Sequence, residues 1–331
     1  MTHRAHEFLP VLLGFLLVAC GDAATTTGTT GSGGAGGSGA TTSTSGTTGS
    51  GGAGGGTTTS TSGTTGSGGA SNDCALIDGT TETATVNAAG CHVTTRDTSA
   101  CEAARTAQGL SGFWLDFSCR LTLTAATEAG VQVVKIETDN QPEHLSNYFP
   151  AGNVCHEDFP GGMQNPNQIV AKTYVIPFPL APGGASQTMK GSAIVGMAVD
   201  GVVVFGNFAA PGDDIYQEAK TFDRCGGHPQ MTGVYHYHSE PNALTYDDPR
   251  LVGVMRDGYP IYGRKDSDST YPTLDMYGGH SGVTPHSDGA SVYHYHVNEQ
   301  TSTNPTSAGT KQWFLTTGTY KATPASCAAC K

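Results

Sequence analysis

From about residue 72 onward, the hydrophobic residues occur in short runs that are rich in Val, Ile, Tyr and Thr. Gly and Pro interrupt these runs roughly every ten residues, which is the pattern of a protein built from β-strands and turns. Residues 130–138 and 172–177 are strand-like runs, whereas residues 100–108 have the composition of a short helix. The pattern therefore predicts an all-β or mainly β fold.

The chain after residue 150 contains two segments that align with each other. Residues 194–206 match residues 251–263 without gaps, and each segment has an apolar run, an Asp-Gly pair and a second apolar run. Asp-Gly supplies the two positive-φ positions of a type I′ turn, so each segment is predicted to form a β-hairpin. Pro260 cannot donate a hydrogen bond to a neighbouring strand, so its strand is expected at a sheet edge or in an irregular pairing.

The similarity continues beyond the hairpins. Each copy next has an Asp followed by a Gly-Gly-His turn, at residues 223–228 and 275–280, and then Tyr-His-Tyr-His, at residues 235–238 and 293–296. Two copies of hairpin, turn and strand predict an internally duplicated β domain with pseudo-twofold symmetry. A site on the axis of such a domain would receive residues from both copies.

Composition divides the chain into four regions. Residues 1–19 are predicted to be a signal peptide, residues 20–71 a lipidated cysteine with a disordered linker, and residues 72–150 a disulfide-rich N-terminal β region. The duplicated domain is predicted at residues 151–331, with repeat 1 at about 194–238, repeat 2 at about 251–296, and a C-terminal strand with a cysteine tail at 301–331.

The first region has the features of an export signal. Arg4 precedes an almost continuous apolar run at residues 9–19, and its length of about eleven residues suits a signal peptide and is too short to cross a bilayer. The run ends in Leu-Val-Ala-Cys at residues 17–20, which resembles a bacterial lipobox. This resemblance implies that Cys20 becomes a lipid-modified N-terminus. We therefore expect an exported protein, lipid-anchored at the bacterial cell envelope or cell surface.

The linker consists entirely of Gly, Ser, Thr and Ala from residue 23 to residue 71. It buries too little apolar surface to offset the entropy of ordering, so we predict a disordered tether. The formal net charge is −12 over 331 residues. A strongly acidic chain without a basic run gains nothing from counterion release, which argues against nucleic-acid binding. The expected partners are the membrane, through the lipid anchor, and an envelope glycan or protein.

The cysteines agree with export. Eight cysteines besides Cys20 form an even set, which in an exported chain predicts up to four disulfides whose connectivity the sequence does not fix. Those at residues 74–119 are expected to pair locally, and the two in the tail, which have thioredoxin-type spacing without a strand-to-helix context, are expected to pair with other cysteines. The candidates are Cys74, Cys91, Cys101, Cys119, Cys155, Cys225, Cys327 and Cys330.

Seven of the twelve histidines lie between residues 228 and 296. Alternate residues of a strand project from the same face, so the two histidines of each Tyr-His-Tyr-His string point one way and the two tyrosines the other. His-x-His on a strand is a recurrent metal-ligand geometry, and the Gly-Gly-His turn offers a third ligand in each copy. The predicted metal ligands are His228, His236, His238, His280, His294 and His296. The residues predicted to hold these ligands in place are Asp223, Asp275, Tyr235, Tyr237, Tyr293 and Tyr295, and the two aspartates are alternatively ligands themselves.

These strings resemble a known family. Gly-Gly-His-Pro at residues 226–229, both Tyr-His-Tyr-His strings and residues 257–263 look like the YHYH-domain family of mostly exported, often lipid-anchored bacterial proteins. The resemblance is strong over about residues 190–300 and extends from Trp114 through the tail. It implies a YHYH domain and brings no established activity with it.

Two classes of function fit these residues. In the first, the histidines bind a transition metal, and imidazole ligands in an oxidising environment suit copper or zinc. Three histidines leave an open coordination position, so a metal-dependent hydrolase is one form of this class. In the second, the protein is a surface structural or ligand-binding module for a glycan or protein, and its His and Tyr strands are structural. Metal binding is preferred, and a non-enzymatic role is preferred over an enzyme because no Gly-x-Ser-x-Gly motif or phosphate-binding loop is present.

Overall fold

The computed structural model describes residues 81–159, 165–190, 193–210 and 212–331. This part of the chain is mainly β, as the short hydrophobic runs predicted. The predicted signal peptide, Cys20, the linker and Cys74 lie outside the described residues. Among the helices of the described ranges, none has both the length and the apolar character needed to span a membrane.

Most elements are short strands. The helices are α1 (Ser99–Thr106), where the sequence predicted a helix, and α2 (Ile215–Glu218), and 3₁₀ turns occupy Gly112–Asp116 and Ala219–Thr221. The strands are β1 (Thr81–Val86), β2 (His92–Thr95), β3 (Thr122–Glu128), β4 (Val131–Thr138), β5 (Tyr174–Pro179), β6 (Gln187–Thr188), β7 (Ile194–Ala198), β8 (Val203–Phe205), β9 (Gly227–Pro229), β10 (Tyr235–Tyr237), β11 (Leu251–Met255), β12 (Pro260–Tyr262), β13 (Gly279–Val283), β14 (Ser291–His296), β15 (Asn298–Thr301), β16 (Lys311–Phe314) and β17 (Thr319–Tyr320).

An eight-stranded sheet with the order β13-β14-β12-β11-β7-β8-β10-β9 positions the histidines. In one half, β7 pairs with β8 antiparallel, β8 with β10 parallel, and β10 with β9 antiparallel. The other half pairs β11, β12, β14 and β13 in the same sequence of directions. The halves join through antiparallel β7 and β11, where Met197 lies opposite Val254. The two halves thus pair their strands in the same order of directions. The internal duplication itself is a prediction from the sequence.

Both predicted hairpins are present, but the predicted type I′ turns were wrong. Gly201 and Gly258 have φ values of +87° and +92°, whereas Asp200 and Asp257 do not have positive φ. Gly201 N donates to Ala198 O at 2.9 Å, which is the arrangement of a turn closed by a glycine in the left-handed region, as in a glycine bulge. Asp-Gly satisfies this turn as well, because only its second residue must have positive φ.

Of the two expectations for Pro260, the edge strand was wrong and the irregular pairing is confirmed, because the register between β11 and β12 shifts between Leu251 and Gly253. β12 lies inside the sheet, between β11 and β14. Pro260 is the first residue of β12, and the parallel pairing with β14 begins one residue later, at Ile261 opposite Tyr295. Its missing N–H is therefore not required by the β14 ladder.

One hydrophobic core includes residues from both sides of the predicted boundary at residue 150. It contains Trp114 and Phe178 together with Val203 and Val252 of the eight-stranded sheet. β5 follows the boundary in sequence and pairs with β4, which precedes it. The N-terminal β region and the histidine-bearing sheet therefore share a core.

Three disulfides join described cysteines: Cys91–Cys225, Cys101–Cys119 and Cys327–Cys330. Cys155 is also disulfide-bonded. The expectation that the tail cysteines pair with other cysteines was wrong, because they bond to each other with Cα atoms 5.4 Å apart. Cys101–Cys119 is local, as expected, whereas Cys91 reaches across 134 residues to the turn that presents His228.

Candidate functional site

His228, His236 and His238 form a compact group, which we call the first histidine cluster. His228 on β9 lies directly opposite His236 on β10. His238 follows two residues after His236 and therefore projects from the same face. Nε2 of His236 is 3.1 Å from Nε2 of His228 and 3.0 Å from Nε2 of His238. All three residues are buried, so three imidazole nitrogens converge on one point inside the protein.

The other half of the sheet forms the second histidine cluster, which consists of His280, His294, His296 and Asp266. His280 on β13 lies opposite His294 on β14, and Nε2 of His280 is 3.3 Å from Nε2 of His296. Asp266 Oδ1 lies 3.0 Å, 3.4 Å and 3.3 Å from the Nε2 atoms of His280, His294 and His296. This cluster thus combines three imidazoles with one carboxylate, and the side chains of His280 and Asp266 are each 20% exposed.

The two clusters are separate. Within each, the atoms available as ligands lie within 4.8 Å of one another. β10 and β14 are five strand spacings apart in the sheet, which is roughly 24 Å at about 4.8 Å per strand. The expected site on a symmetry axis, with residues from both copies, is therefore not formed by these histidines; each half assembles its own cluster.

Hydrogen bonds at Nδ1 fix the tautomer of most clustered histidines. A backbone carbonyl only accepts, so a histidine bonded to one through Nδ1 carries its proton there and leaves a lone pair on Nε2. Four histidines have this bond: His236 to Val234 O at 3.0 Å, His238 to Gly206 O at 2.5 Å, His294 to Val292 O at 3.0 Å and His296 to Gly263 O at 2.7 Å.

His228 reaches the same tautomer through a hydroxyl. Thr221 Oγ1 donates its single proton to Glu218 O at 2.8 Å. It can therefore only accept from His228 Nδ1, which lies 2.7 Å away. All three Nε2 atoms of the first histidine cluster thus present lone pairs to one another.

Burial keeps these imidazoles neutral. Desolvation lowers the pKa of His228 to about 3, with a further contribution from His238, and it lowers the pKa of His238 to about 4. The pKa of His236 lies well below its ordinary value for the same reason. In the second histidine cluster, burial lowers the pKa of His296 to about 4 and also lowers that of His294. At neutral pH the Nε2 atoms of His228, His236, His238, His294 and His296 are therefore unprotonated bases.

The tyrosines of both strings lie on the opposite face, as the strand alternation predicted. There they bond to carboxylates rather than to the clustered histidines. The pairs are Tyr235 with Asp223 at 2.8 Å, Tyr237 with Asp200 at 2.9 Å, Tyr293 with Asp275 at 3.0 Å and Tyr295 with Asp257 at 2.6 Å. The prediction that these tyrosines hold the clustered histidines in place was therefore wrong. Their hydroxyl groups bond to aspartates on the opposite face of the sheet.

Asp223 and Asp275 act on the histidines only through the backbone. Asp223 Oδ1 accepts from Cys225 N at 2.9 Å and from Gly227 N at 3.2 Å, which fixes the turn that leads into His228. Asp275 Oδ1 accepts from the backbone N–H groups of Tyr277 and Gly279 at 2.9 Å and 3.2 Å. The two aspartates therefore shape equivalent Gly-Gly-His turns.

Comparison with known proteins finds one family match, which covers part of the chain. Residues 173–277 match the model of a family described as YHYH protein, so the chain contains a YHYH domain. The match includes the first histidine cluster and ends before β13 and β14, which carry the histidines of the second. No curated protein and no solved structure matches the chain.

Proposed function

We propose that this YHYH-domain protein binds two transition-metal ions, one in each histidine cluster. The observation that carries the proposal is the convergence of imidazole Nε2 atoms, 3.0–3.3 Å apart, in both clusters. Imidazole-rich ligand sets favour zinc or copper over calcium or magnesium. A tetrahedral ion with bonds of about 2.0–2.1 Å holds its ligand atoms roughly 3.3 Å apart, which is close to these separations.

The electrostatics of the first histidine cluster support the same conclusion. Neutral imidazoles whose Nε2 lone pairs face one another at 3.0 Å repel, and no N–H lies between His236 and His238 to convert the contact into a hydrogen bond. A proton does not resolve the conflict at neutral pH, because burial lowers the pKa values of these groups. A dication accepts all three lone pairs at once.

Metal content of the full chain tests the proposal. After loading with Zn(II) and dialysis at pH 7.5, the protein is expected to retain two ions. His236→Ala should retain one, because it removes a ligand of the first histidine cluster, and His294→Ala should retain one for the corresponding reason. The double variant should retain none, and His156→Ala, outside both clusters, should retain two.

Retention of no zinc by the unaltered chain would contradict the proposal. So would two ions in the double variant, since the metal would then lie elsewhere. The outcome also separates this function from the alternative of a purely structural surface module, which requires no stoichiometric metal.

We also propose that the metal-binding domain is exported and lipid-anchored at the cell envelope through Cys20. The apolar run before Cys20 supports this proposal, as do the disulfides, which persist mainly in oxidising compartments. Cells that express the full chain should incorporate labelled palmitate into it, and Cys20→Ala should abolish the label and move the protein to the soluble fraction. An unlabelled full chain would disprove the anchor.

A further inference from the structure

The second histidine cluster includes a carboxylate, and a carboxylate also lies beside the first. Glu218 Oε1 is 3.5 Å from His228 Nε2. The other carboxylate oxygen, Oε2, is buried and has no hydrogen-bond partner. A buried polar atom without a partner is costly in a folded protein, so the position of this carboxylate beside the cluster calls for an explanation.

The local structure holds Glu218 in this place. Asp214, immediately before α2, accepts from Tyr216 N at 3.0 Å and from Thr306 Oγ1 at 2.7 Å, which fixes the start of α2. Glu218 is the last residue of α2, and its carbonyl accepts from Thr221, the same hydroxyl that accepts from His228. One side chain thus joins the backbone of Glu218 to a member of the cluster.

Glu218 occupies the place in the fold that Asp266 occupies in the other half. Asp266 lies on the connection from β12 to β13, and Glu218 lies on the connection from β8 to β9. Each of these connections leads from the second strand of a hairpin to the edge strand that carries the third histidine. The two carboxylates therefore approach their clusters from equivalent connections, although the connections differ in length and sequence.

We propose that Glu218 is the fourth ligand of a transition-metal ion in the first histidine cluster, so that both sites consist of three histidines and one carboxylate. The inference rests on the proposed metal binding. Glu218 Oε1 lies 3.5 Å from His228 Nε2, close to the roughly 3.3 Å between ligands of a tetrahedral ion. The three histidine nitrogens lie within 4.8 Å of one another without Glu218, so its side chain must rotate toward His236 and His238 to complete the site. A site of four protein ligands is closed, which favours retention of the metal over hydrolysis of a substrate at an open position.

Affinity at the first site alone tests this inference. In the full chain with His294→Ala, only the first site is expected to bind, and a chromophoric chelator in competition gives its Zn(II) dissociation constant. Adding Glu218→Gln should raise that constant at least about tenfold, and Glu218→Ala should raise it at least as much. Adding Asp213→Asn is the matched control, because it removes a nearby carboxylate charge without removing a ligand.

Co(II) provides a second readout, because its d–d absorption reports the ligand set directly. Glu218→Gln should shift the Co(II) spectrum of the first site, and Asp213→Asn should leave it unchanged. An unchanged spectrum and a dissociation constant within twofold in Glu218→Gln would overturn the role of Glu218 while leaving the metal site intact. Absence of binding in His294→Ala alone would instead overturn the proposed function.

Discussion

His238 has contacts at both ring nitrogens. Nδ1 of His238 donates to Gly206 O, and Nε2 faces the other imidazoles of the first histidine cluster. Burial lowers the pKa of His238 to about 4. The residue thus combines a fixed tautomer, a fixed orientation and a neutral ring, which are the properties of a metal ligand.

The lowered pKa of His238 has a consequence for stability. In metal-free protein, His238 takes up a proton near pH 6.5 in the unfolded chain but only near pH 4 in the folded one. Between these values the unfolded state binds more protons, so this residue's contribution is present above pH 6.5 and is lost as the pH falls toward 4. The expected loss is about 1.4 kcal/mol per pH unit.

His238→Asn should therefore reduce the acid sensitivity of the metal-free protein, because Asn keeps an N–H donor for Gly206 and does not titrate. The measurement is the free energy of unfolding in denaturant with a chelator present, at several pH values from 7 to 4. The variant should lose less stability on acidification than the unaltered chain. Parallel curves would show that His238 does not carry a lowered pKa.

The sequence identified four clustered histidines because alternation along a strand places them on one face, and it identified His228 and His280 because each follows a Gly-Gly turn. It did not identify Asp266, Glu218 or Thr221, which lie on irregular connections where no periodicity indicates a direction. A carboxylate's position relative to a cluster depends on how such a connection folds back, and its sequence alone does not specify this. The clustered histidines were therefore predictable from the sequence, whereas the carboxylates beside them were not.

At the scale of elements, the histidines of each cluster lie on an edge strand and its neighbour, β9 and β10 or β13 and β14, which pair with the β7–β8 or β11–β12 hairpin. The Asp-Gly pairs predicted the hairpins correctly, since the glycine at the end of each turn needs positive φ. The parallel pairing of β8 with β10 and of β12 with β14 was not predictable, because it joins strands separated by long connections. For the same reason the sequence could not decide whether the strand of Pro260 lies at an edge or pairs irregularly; it pairs irregularly with β11 inside the sheet.

A substitution at Gly253 tests the pairing of β7 with β11, through which the two halves of the sheet meet. A Cβ at this position would lie 2.0 Å from Met197 O and 2.7 Å from Ala198 Cα, both in the adjacent strand β7. Backbone atoms cannot turn away as a side chain does, so Gly253→Ala should push β7 and β11 apart. We expect a loss of at least about 2 kcal/mol in the free energy of unfolding.

Gly183→Ala is the matched control for this substitution, because a Cβ there meets nothing within 4 Å. Chemical denaturation of both variants at pH 7.5 gives the comparison. Equal stabilities for the two variants would show that the pairing of β7 with β11 tolerates a side chain and that these strands are less closely packed than the structure indicates.

At the scale of the whole molecule, one core supports both clusters. The sequence predicted two β regions divided near residue 150, but it gave no means to decide whether they pack together, because hydrophobic runs do not identify their partners. β4 and β5 pair across that division, and Cys91–Cys225 links the N-terminal region to the turn before His228. The clusters lie toward opposite edges of the sheet, so the protein is expected to hold its two ions independently.

The distance between two bound Cu(II) ions tests the central claim most directly. Pulsed electron paramagnetic resonance on the full chain with two equivalents of Cu(II) measures that distance in solution. The account predicts a single main distance of roughly 24–34 Å, because the strands that carry the ligands are five to seven spacings of about 4.8 Å apart, and this distance should disappear in His236→Ala and in His294→Ala. A copper pair only a few ångströms apart, or no defined distance at all, would contradict two separate histidine sites.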